Sequence, residues 1–219
     1  MMKRNAALLM CLGLCLFLTG SVLAAGEPIA ISKVKAGAIT VDGSLNEWSG
    51  PATYVSSGLI ADAADVKNDD DLSFFGMFAY DDDNLYLAFR VIDDVLVFER
   101  SGSDSWQTDC VEVWLAGSQI GFTLANGKTP EIANWHGMDT TGTKLAVVPA
   151  ASGYVVEASI PLTAIKSIIG KDPASGVSFP ISFGADDCDT KGGSREGQIY
   201  FPKGWAWGST ASFATATFQ

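Results

Sequence analysis

The sequence has few basic residues, a single histidine and no long apolar segment outside its N-terminus. It contains 14 Lys and Arg against 25 Asp and Glu, a net charge of −11 at pH 7, and its one histidine is His136. Binding to nucleic acid or to an anionic membrane surface depends on clusters of Lys and Arg, which this balance disfavours. A lone histidine without a recognisable nucleophile nearby gives no catalytic dyad. The acidic excess instead favours cations, calcium among them.

The apolar run at residues 6–18 is too short to span a bilayer comfortably. It follows Lys3 and Arg4 and precedes small residues, which is the pattern of a secretory signal peptide with cleavage near Ala24. We therefore predict a signal peptide over residues 1–24 and one domain over residues 25–219. The mature protein is expected to be secreted or periplasmic and to lack a transmembrane segment.

Cysteines are few, and two of the four precede the predicted cleavage site. The mature chain keeps Cys110 and Cys188. An extracytoplasmic compartment permits these two to form a disulfide, and two buried thiols that simply pack are equally compatible with the sequence. The pattern leaves both states open.

Most of the remaining sequence has the pattern of β-strands. Eight segments rich in Val, Ile, Phe, Tyr and Trp are bounded by Gly, Asp, Asn and Ser turns. They are residues 72–80, 84–92, 110–116, 119–125, 154–160, 177–185, 198–201 and 212–218. Their spacing predicts an all-β fold, an antiparallel β-sandwich of the jelly-roll or immunoglobulin-like kind. One short helix is expected between Pro161 and Gly170.

The segment at residues 105–115 combines a Trp and a carboxylate on a predicted strand. Trp106 follows a polar loop, and Glu112 lies six residues later on the side of the strand opposite Val111 and Val113. A Trp face covers the C–H surface of a pyranose ring, and a carboxylate accepts hydrogen bonds from adjacent hydroxyls. This pair indicates a sugar-binding site. Trp48 and Trp114 have apolar or strand-interior neighbours and are predicted to lie in the core.

Five blocks, in order, resemble carbohydrate-binding module family 9. They are VDGSLNEW at residues 41–48, DDNLYLAFRVIDD at 82–94, WQTDCVEV at 106–113, GYVVEASIP at 153–161 and WGSTASF at 207–213. Members of this family are secreted, non-catalytic β-sandwich modules usually attached to xylanases and related enzymes. The resemblance implies that this chain binds polysaccharide or oligosaccharide, such as the end of a xylan or cellulose chain. It also implies that any glycoside hydrolase activity belongs to a partner chain.

The same resemblance implies site residues. Trp106 and Trp207 match the two Trp faces that clamp a terminal sugar ring, with Trp205 as the other candidate for the second face, and Glu112 matches the polar floor. Sugar-binding relatives use an Arg and an Asn from the next strand. In this chain that strand offers Thr123 and, near its end, Asn126.

Structural calcium is also implied by the resemblance. The acidic composition agrees with it, since calcium prefers several carboxylate or carbonyl oxygens, although no EF-hand spacing is present. We expect Asp42, Glu47 and Asp187 to be the metal ligands.

Three other functions remain open from the sequence. Related sandwiches in some periplasmic dehydrogenases bind haem, for which His136, Met77, Met138 or a Lys would have to supply the axial ligands. Glycoside hydrolysis needs two carboxylates opposed across a cleft, and no spacing singles out such a pair. The domain could also be a sandwich that has lost sugar binding.

Overall fold

The computed structural model describes residues 22–23, 28–50, 52–55 and 66–219. The predicted signal peptide lies outside the described residues, apart from Val22 and Leu23. The strands are β1 Val22–Leu23, β2 Ile29–Lys33, β3 Ala52–Val55, β4 Leu72–Tyr80, β5 Asn84–Asp93, β6 Cys110–Leu115, β7 Ser118–Ala125, β8 Thr129–Asn134, β9 Lys144–Ala150, β10 Gly153–Pro161, β11 Ser178–Asp187, β12 Gly197–Phe201 and β13 Ala214–Phe218. The helices are α1 Leu162–Ile169 and two 3₁₀ helices, Gly102–Gln107 and Thr210–Ser212. No helix within these ranges is long and apolar enough to cross a membrane.

The strands follow one hydrogen-bonded path that folds into two layers. The order is β8-β7-β6-β11-β13-β2-β4-β5-β10-β9, with β12 beside β11 and β3 beside β4. Most neighbours are antiparallel, which confirms the predicted β-sandwich. Within this sandwich, β2 runs parallel to both β13 and β4. The strand β2 lies between the two halves of the path and so joins the C-terminal strand to the first hairpin.

The core lies between the two layers and is dominated by aromatic rings. Phe183 of β11 contacts three rings of the opposite layer: its centroid lies 6.0 Å from that of Phe74, 5.0 Å from that of Phe78 and 5.7 Å from that of Phe89. Offset and edge-on ring pairs of this kind add stabilisation beyond the area that they bury. Trp48 and Trp114 are buried as predicted.

The predicted helix is present with the expected ends. Pro161, with φ −54°, precedes the first residue of α1, and Gly170 ends the helix with φ 70°. The Gly170 N–H donates to the Lys166 carbonyl at 2.9 Å. A left-handed C-terminal residue of this kind favours glycine, which has no Cβ to clash.

Alternation along β6 and β11 gives each strand two distinct faces. Val111 and Val113 of β6 point into the core, whereas Glu112 points to the outer face. On the neighbouring strand β11, Asp186 lies on the outer face, and Asp187 continues the core-facing side beyond Ala185. Two groups of carboxylates therefore arise on adjacent strands, one on the outer face and one at the end of the core.

Candidate functional site

A cavity of about 550 Å³ lies over the outer face of β6, β7 and β12. Its lining combines four indoles with a group of polar side chains. The lining residues are Trp106, Glu112, Gln119, Trp135, His136, Arg195, Gln198, Trp205 and Trp207. A concave site of this size with aromatic walls and a few converging polar groups is typical of small-ligand binding.

Two partly exposed indoles of the cavity come from segments that are far apart in the chain. Trp106 lies in the 3₁₀ helix before β6 and is 38% exposed, and Trp207 lies in the turns after β12 and is 68% exposed. Trp207 packs edge-on against Trp114, with centroids 6.3 Å apart, and against His136 at 6.0 Å. His136 itself stacks on Trp114 at 5.5 Å. The exposed Trp207 ring is thus supported from behind by two other rings.

The remaining two indoles line the cavity in different ways. Trp205 stacks face to face on Tyr200 with centroids 3.9 Å apart, and its buried Nε1 has no hydrogen-bond partner among the described residues. Trp135 lies over Gly121 of β7, where an added Cβ would stand 2.4 Å from Trp135 Cη2. Its Nε1 donates to the Ser103 carbonyl at 3.1 Å. Trp135 therefore occupies the space where a side chain on β7 would otherwise enter the cavity.

The floor of the cavity is a hydrogen-bonded carboxyl group. Glu112 is 3% exposed and accepts a hydrogen bond from Gln119 Nε2 at 2.8 Å and another from the Tyr200 hydroxyl. Buried carboxylates are costly unless donors surround them, and these two donors are in place without a ligand. The floor is thus formed in advance.

A second carboxyl group, Asp186, lies beside Glu112. Its Oδ1 accepts from Gln198 Nε2 at 2.6 Å and from Arg195 Nη1 at 3.0 Å. Burial, and next the neighbouring Glu112, raise the pKa of Asp186 well above its usual value, while Arg195 opposes the shift. Two adjacent buried carboxyl groups are costly to ionise together. The pair lies together on one floor and is not opposed across a cleft, as glycoside hydrolysis requires.

Arg195 connects the floor with one wall. Besides its contact with Asp186, its Cζ atom lies 5.1 Å from the centroid of the Trp106 ring. A guanidinium over an indole face at this distance makes a cation–π interaction. Arg195 therefore brings a planar, charged hydrogen-bond donor to the edge of the cavity.

A second group of carboxylates lies at the end of the core. One set comprises Asp93, Asp187 and Asp189, and an overlapping set comprises Asp71, Asp94 and Asp189; in each set the nearest oxygens lie within 4.8 Å of one another. Asp93 and Asp187 are 2% and 1% exposed. Among the described residues, Asp93 Oδ2, Asp187 Oδ1 and Asp189 Oδ1 are buried oxygens with no hydrogen-bond partner. We call these five residues the carboxylate cluster.

The charges of the cluster are poorly compensated by protein groups. Burial and the nearby Asp187 raise the pKa of Asp93 to about 8, and burial and the nearby Asp189 raise the pKa of Asp187 to about 7. Lys67 approaches Asp71 and Asp189 at 3.4 Å each, but its side chain is largely exposed. Unpaired buried oxygens from several carboxylates are the donor set that calcium prefers, so the residues present fit such an ion.

A family model described as carbohydrate family 9 binding domain-like matches residues 41–219. The chain belongs to carbohydrate-binding module family 9. This match covers every element from β3 onward, including both walls and the floor of the cavity.

Solved structures of family 9 modules share the fold. A module from Caldicellulosiruptor kristjanssonii in complex with cellotriose superposes with a TM-score of 0.64 at 20% identity, covering 88% of this chain and 94% of that chain. A family 9 module from the same organism in complex with glucose gives a TM-score of 0.62 at 20% identity, covering 88% and 96%. At this identity the likeness establishes the fold alone. No curated protein matches the sequence.

The structure brings most of the predicted sugar-binding residues of this family 9 chain to one cavity. Trp106, Glu112, Trp205 and Trp207 all line it. The last two lie in the turns that follow β12 and not on a strand. Thr123 was predicted to contact the sugar but is not among the lining residues. It is fully buried, and its hydroxyl donates to the Asp109 carbonyl at 2.7 Å.

Several lining residues were missed from the sequence. Gln119 and Gln198 reach the site because β7 pairs with β6 and β12 pairs with β11, a strand order that the sequence does not give. Arg195 comes from a loop, where no periodic pattern indicates direction. Trp135 and His136 follow the end of β8, and their backbone N–H groups both donate to the Gln119 carbonyl, at 3.1 and 3.2 Å.

The predicted calcium ligands are not together. Asp187 belongs to the carboxylate cluster, but Asp42 and Glu47 do not. Asp42 Oδ1 accepts from the Ser44 N–H at 2.8 Å, and Glu47 Oε1 accepts from the Thr40 N–H at 2.9 Å. The backbone N–H groups of residues 42 and 43 in this loop donate to the Glu157 carboxylate. The same carboxylate accepts from Trp48 Nε1 at 2.6 Å. Turn-capping carboxylates and metal ligands look alike in sequence, so the sequence alone does not separate Asp42 and Glu47 from the cluster residues.

Two remaining sequence hypotheses can be placed on the fold. Cys110 and Cys188 are both buried free thiols. The candidate haem ligands are not gathered in one place, because Met77 packs beside Trp48, Met138 lies in the main core and His136 stacks on Trp114.

Proposed function

We propose that the protein binds carbohydrate in this cavity, with one sugar ring between the faces of Trp106 and Trp207. The observation that carries the proposal is the convergence of these two exposed indoles, from loops a hundred residues apart, over the buried carboxyl group of Glu112. Indole faces cover the C–H surfaces of a pyranose, and the floor supplies hydrogen bonds to its hydroxyls.

The polar groups supply both donors and acceptors to such a ring. Glu112 accepts, the amides of Gln119 and Gln198 can do either, and Arg195 and Trp205 Nε1 donate. Arg195 thereby supplies the charged donor that β7 does not. On β7, Gly121 has no side chain and Trp135 lies over it. Removing a charged hydrogen bond costs roughly 1.5–3 kcal/mol, so this contact is a substantial part of the expected affinity.

The expected ligand is the end of a xylan or cellulose chain. The related modules whose structures hold cellotriose and glucose support a β-linked glucan or a similar chain. The signal-peptide pattern supports secretion, where such polymers occur. A glycoside hydrolase on another chain would supply catalysis, since Glu112 and Asp186 are adjacent and not opposed.

The carboxylate cluster is proposed to hold calcium. Asp93, Asp187 and Asp189 would supply the unpaired buried oxygens, with Asp71 and Asp94 completing the donor set. Bound calcium would neutralise these charges. Its ligands on β5, on β11 and in the loop after β11 would then be held together at the open end of the core.

The proposal is tested by titrating purified protein with cello- and xylo-oligosaccharides, followed by calorimetry and Trp emission. We expect binding of at least one series, with Trp106→Ala and Trp207→Ala each weakening it about tenfold or more, equivalent to about 1.4 kcal/mol. Val95→Ala is the matched control, because Val95 is an exposed apolar residue outside the cavity lining. No heat and unchanged emission with every sugar would contradict the proposal and favour a sandwich that has lost its ligand.

A further inference from the structure

One loop, residues 188–196, connects the carboxylate cluster with the sugar cavity. It begins directly after Asp187, contributes Asp189 to the cluster, and ends with Arg195 in the cavity. The preceding strand, β11, also reaches both sites. Asp186 lies at the cavity floor, and the adjacent Asp187 belongs to the cluster. The two sites therefore share one short piece of chain.

The loop is tied at its base to the strands of the cluster. The Cys188 N–H donates to Asp109 Oδ1 at 3.0 Å, and the Glu196 N–H donates to the Asp187 carbonyl at 2.8 Å. Asp109 directly precedes β6 and lies three residues before Glu112. A change in the position of these strands would thus reach the loop through the two hydrogen bonds.

The tip of the loop is tied to the segment that carries Trp106. Ser194 Oγ donates to Gln107 Oε1 at 3.3 Å, and Arg100 Nη2 donates to the Gly193 carbonyl at 2.6 Å. Arg195 then lies against Trp106 and pairs with Asp186. The loop accordingly positions one wall of the cavity as well as its charged donor.

The cluster end of the loop adjoins buried carboxylate oxygens that have no hydrogen-bond partner among the described residues. Asp93 and Asp187 each have a buried oxygen without a donor, and so does Asp189 within the loop. Without a cation these carboxyl groups can be ionised together only against mutual repulsion, which acts between β5, β11 and the loop. A bound cation reverses the sign of that interaction and draws Asp189 toward the strands.

We propose that Asp189 is a positioning residue: a calcium ion held by Asp93, Asp187 and Asp189 fixes the 188–196 loop so that Arg195 stays in place for sugar, and calcium and sugar binding strengthen each other. This inference rests on the proposed function and on the proposed calcium site. Linkage requires the effect to be reciprocal, so the sugar tightens calcium binding by the same factor that calcium tightens sugar binding.

The test measures sugar affinity by calorimetry in calcium and after chelation, alongside the melting temperature in both conditions. For the parent protein we expect sugar affinity to fall about tenfold without calcium, within the range of about 5–150-fold usual for coupled sites. The calcium affinity should rise by a matching factor when sugar is present. The melting temperature reports calcium binding independently of any sugar.

Two variants separate a positioning role from a general structural one. Asp189→Asn should weaken calcium binding and remove the calcium dependence of sugar affinity, while Asp42→Asn, which alters a carboxylate outside the cluster, should leave both unchanged. Arg195→Gln should bind sugar more weakly and with no calcium dependence. Its melting temperature should still rise with calcium, because the cluster is intact.

The outcomes distinguish this inference from the function on which it rests. Sugar affinity that is equal with and without calcium, in a protein whose melting temperature responds to calcium, overturns the linkage and leaves the sugar site standing. Absence of any calcium response overturns the linkage as well. Failure to bind sugar in either condition overturns both the linkage and the proposed function.

Discussion

Buried carboxyl groups lie in both the sugar cavity and the carboxylate cluster, but they have different partners in the two places. Glu112 and Asp186 on the cavity floor receive hydrogen bonds from Gln119, Tyr200, Gln198 and Arg195. In the cluster, by contrast, Asp93 Oδ2, Asp187 Oδ1 and Asp189 Oδ1 have no hydrogen-bond partner among the described residues, whereas on the floor only Asp186 Oδ2 lacks one there. Protein donors therefore hold the floor carboxyl groups before any ligand arrives, whereas the cluster oxygens depend on the proposed cation.

The largest expected effect comes from removing the floor carboxylate. Glu112→Ala leaves the Tyr200 hydroxyl and the Gln119 amide without their acceptor in a buried site, so we expect the free energy of unfolding to fall by about 3 kcal/mol. Urea denaturation measures the change. Glu112→Gln keeps the shape and one acceptor oxygen and should lose less than half as much. Parent-like stability of the Ala variant would show that the floor is not a preformed network.

Calcium is expected to have an effect of nearly the same size on the other region. At a concentration one hundred times its Kd, an ion that binds only the folded state adds about 2.7 kcal/mol. For a domain of this length that corresponds to an increase in melting temperature of roughly 5–10 °C. Scanning calorimetry with calcium and with a chelator measures it. A melting temperature that is identical in the two buffers would contradict the difference drawn between the regions.

A smaller effect is expected from overfilling the cavity wall. In Gly121→Ala the new Cβ would stand 2.4 Å from Trp135 Cη2 and 2.9 Å from Cys110 Sγ, so the indole must move. We expect a loss of about 1–2 kcal/mol of stability together with weaker sugar binding. Gly117→Ala, where nothing lies within 4 Å, is the matched control and should change stability by less than about 0.5 kcal/mol. Equal stability of the two variants would mean that the wall is loosely packed.

The smallest effect is expected at the carboxylate that the sequence suggested as a calcium ligand. Asp42 makes a local hydrogen bond to the Ser44 N–H in an exposed turn. Asp42→Asn should therefore change stability by less than about 0.5 kcal/mol and leave the calcium-induced rise in melting temperature intact. If that rise disappears instead, the ion lies in the N-terminal turn and not in the cluster.

The sequence predicted the parts of the molecule that depend on local patterns. Alternation separated Glu112 from Val111 and Val113, and Pro161 and Gly170 marked the ends of α1. These features follow from neighbours in the chain, because strand faces and helix caps are set within a few residues.

The carboxylate cluster and the position of Trp135 in the cavity could not be predicted in this way. Asp93 and Asp187 meet only because β5 and β11 end at the same edge of the sandwich, nearly a hundred residues apart in the chain. Trp135 enters the cavity because β7 has a glycine beneath it, at Gly121. Loop residues such as Arg195 have no periodicity from which to read a direction.

The most direct test of sugar binding in this cavity is to follow the indole N–H resonances of the ¹⁵N-labelled protein during titration with cellotriose and xylotriose. We expect the resonances of Trp106, Trp205 and Trp207 to shift together in proportion to sugar bound. The resonance of Trp48, which is buried and donates to Glu157 outside the cavity, should stay fixed. Binding that shifts none of the three cavity resonances would place the sugar elsewhere and contradict the proposed site.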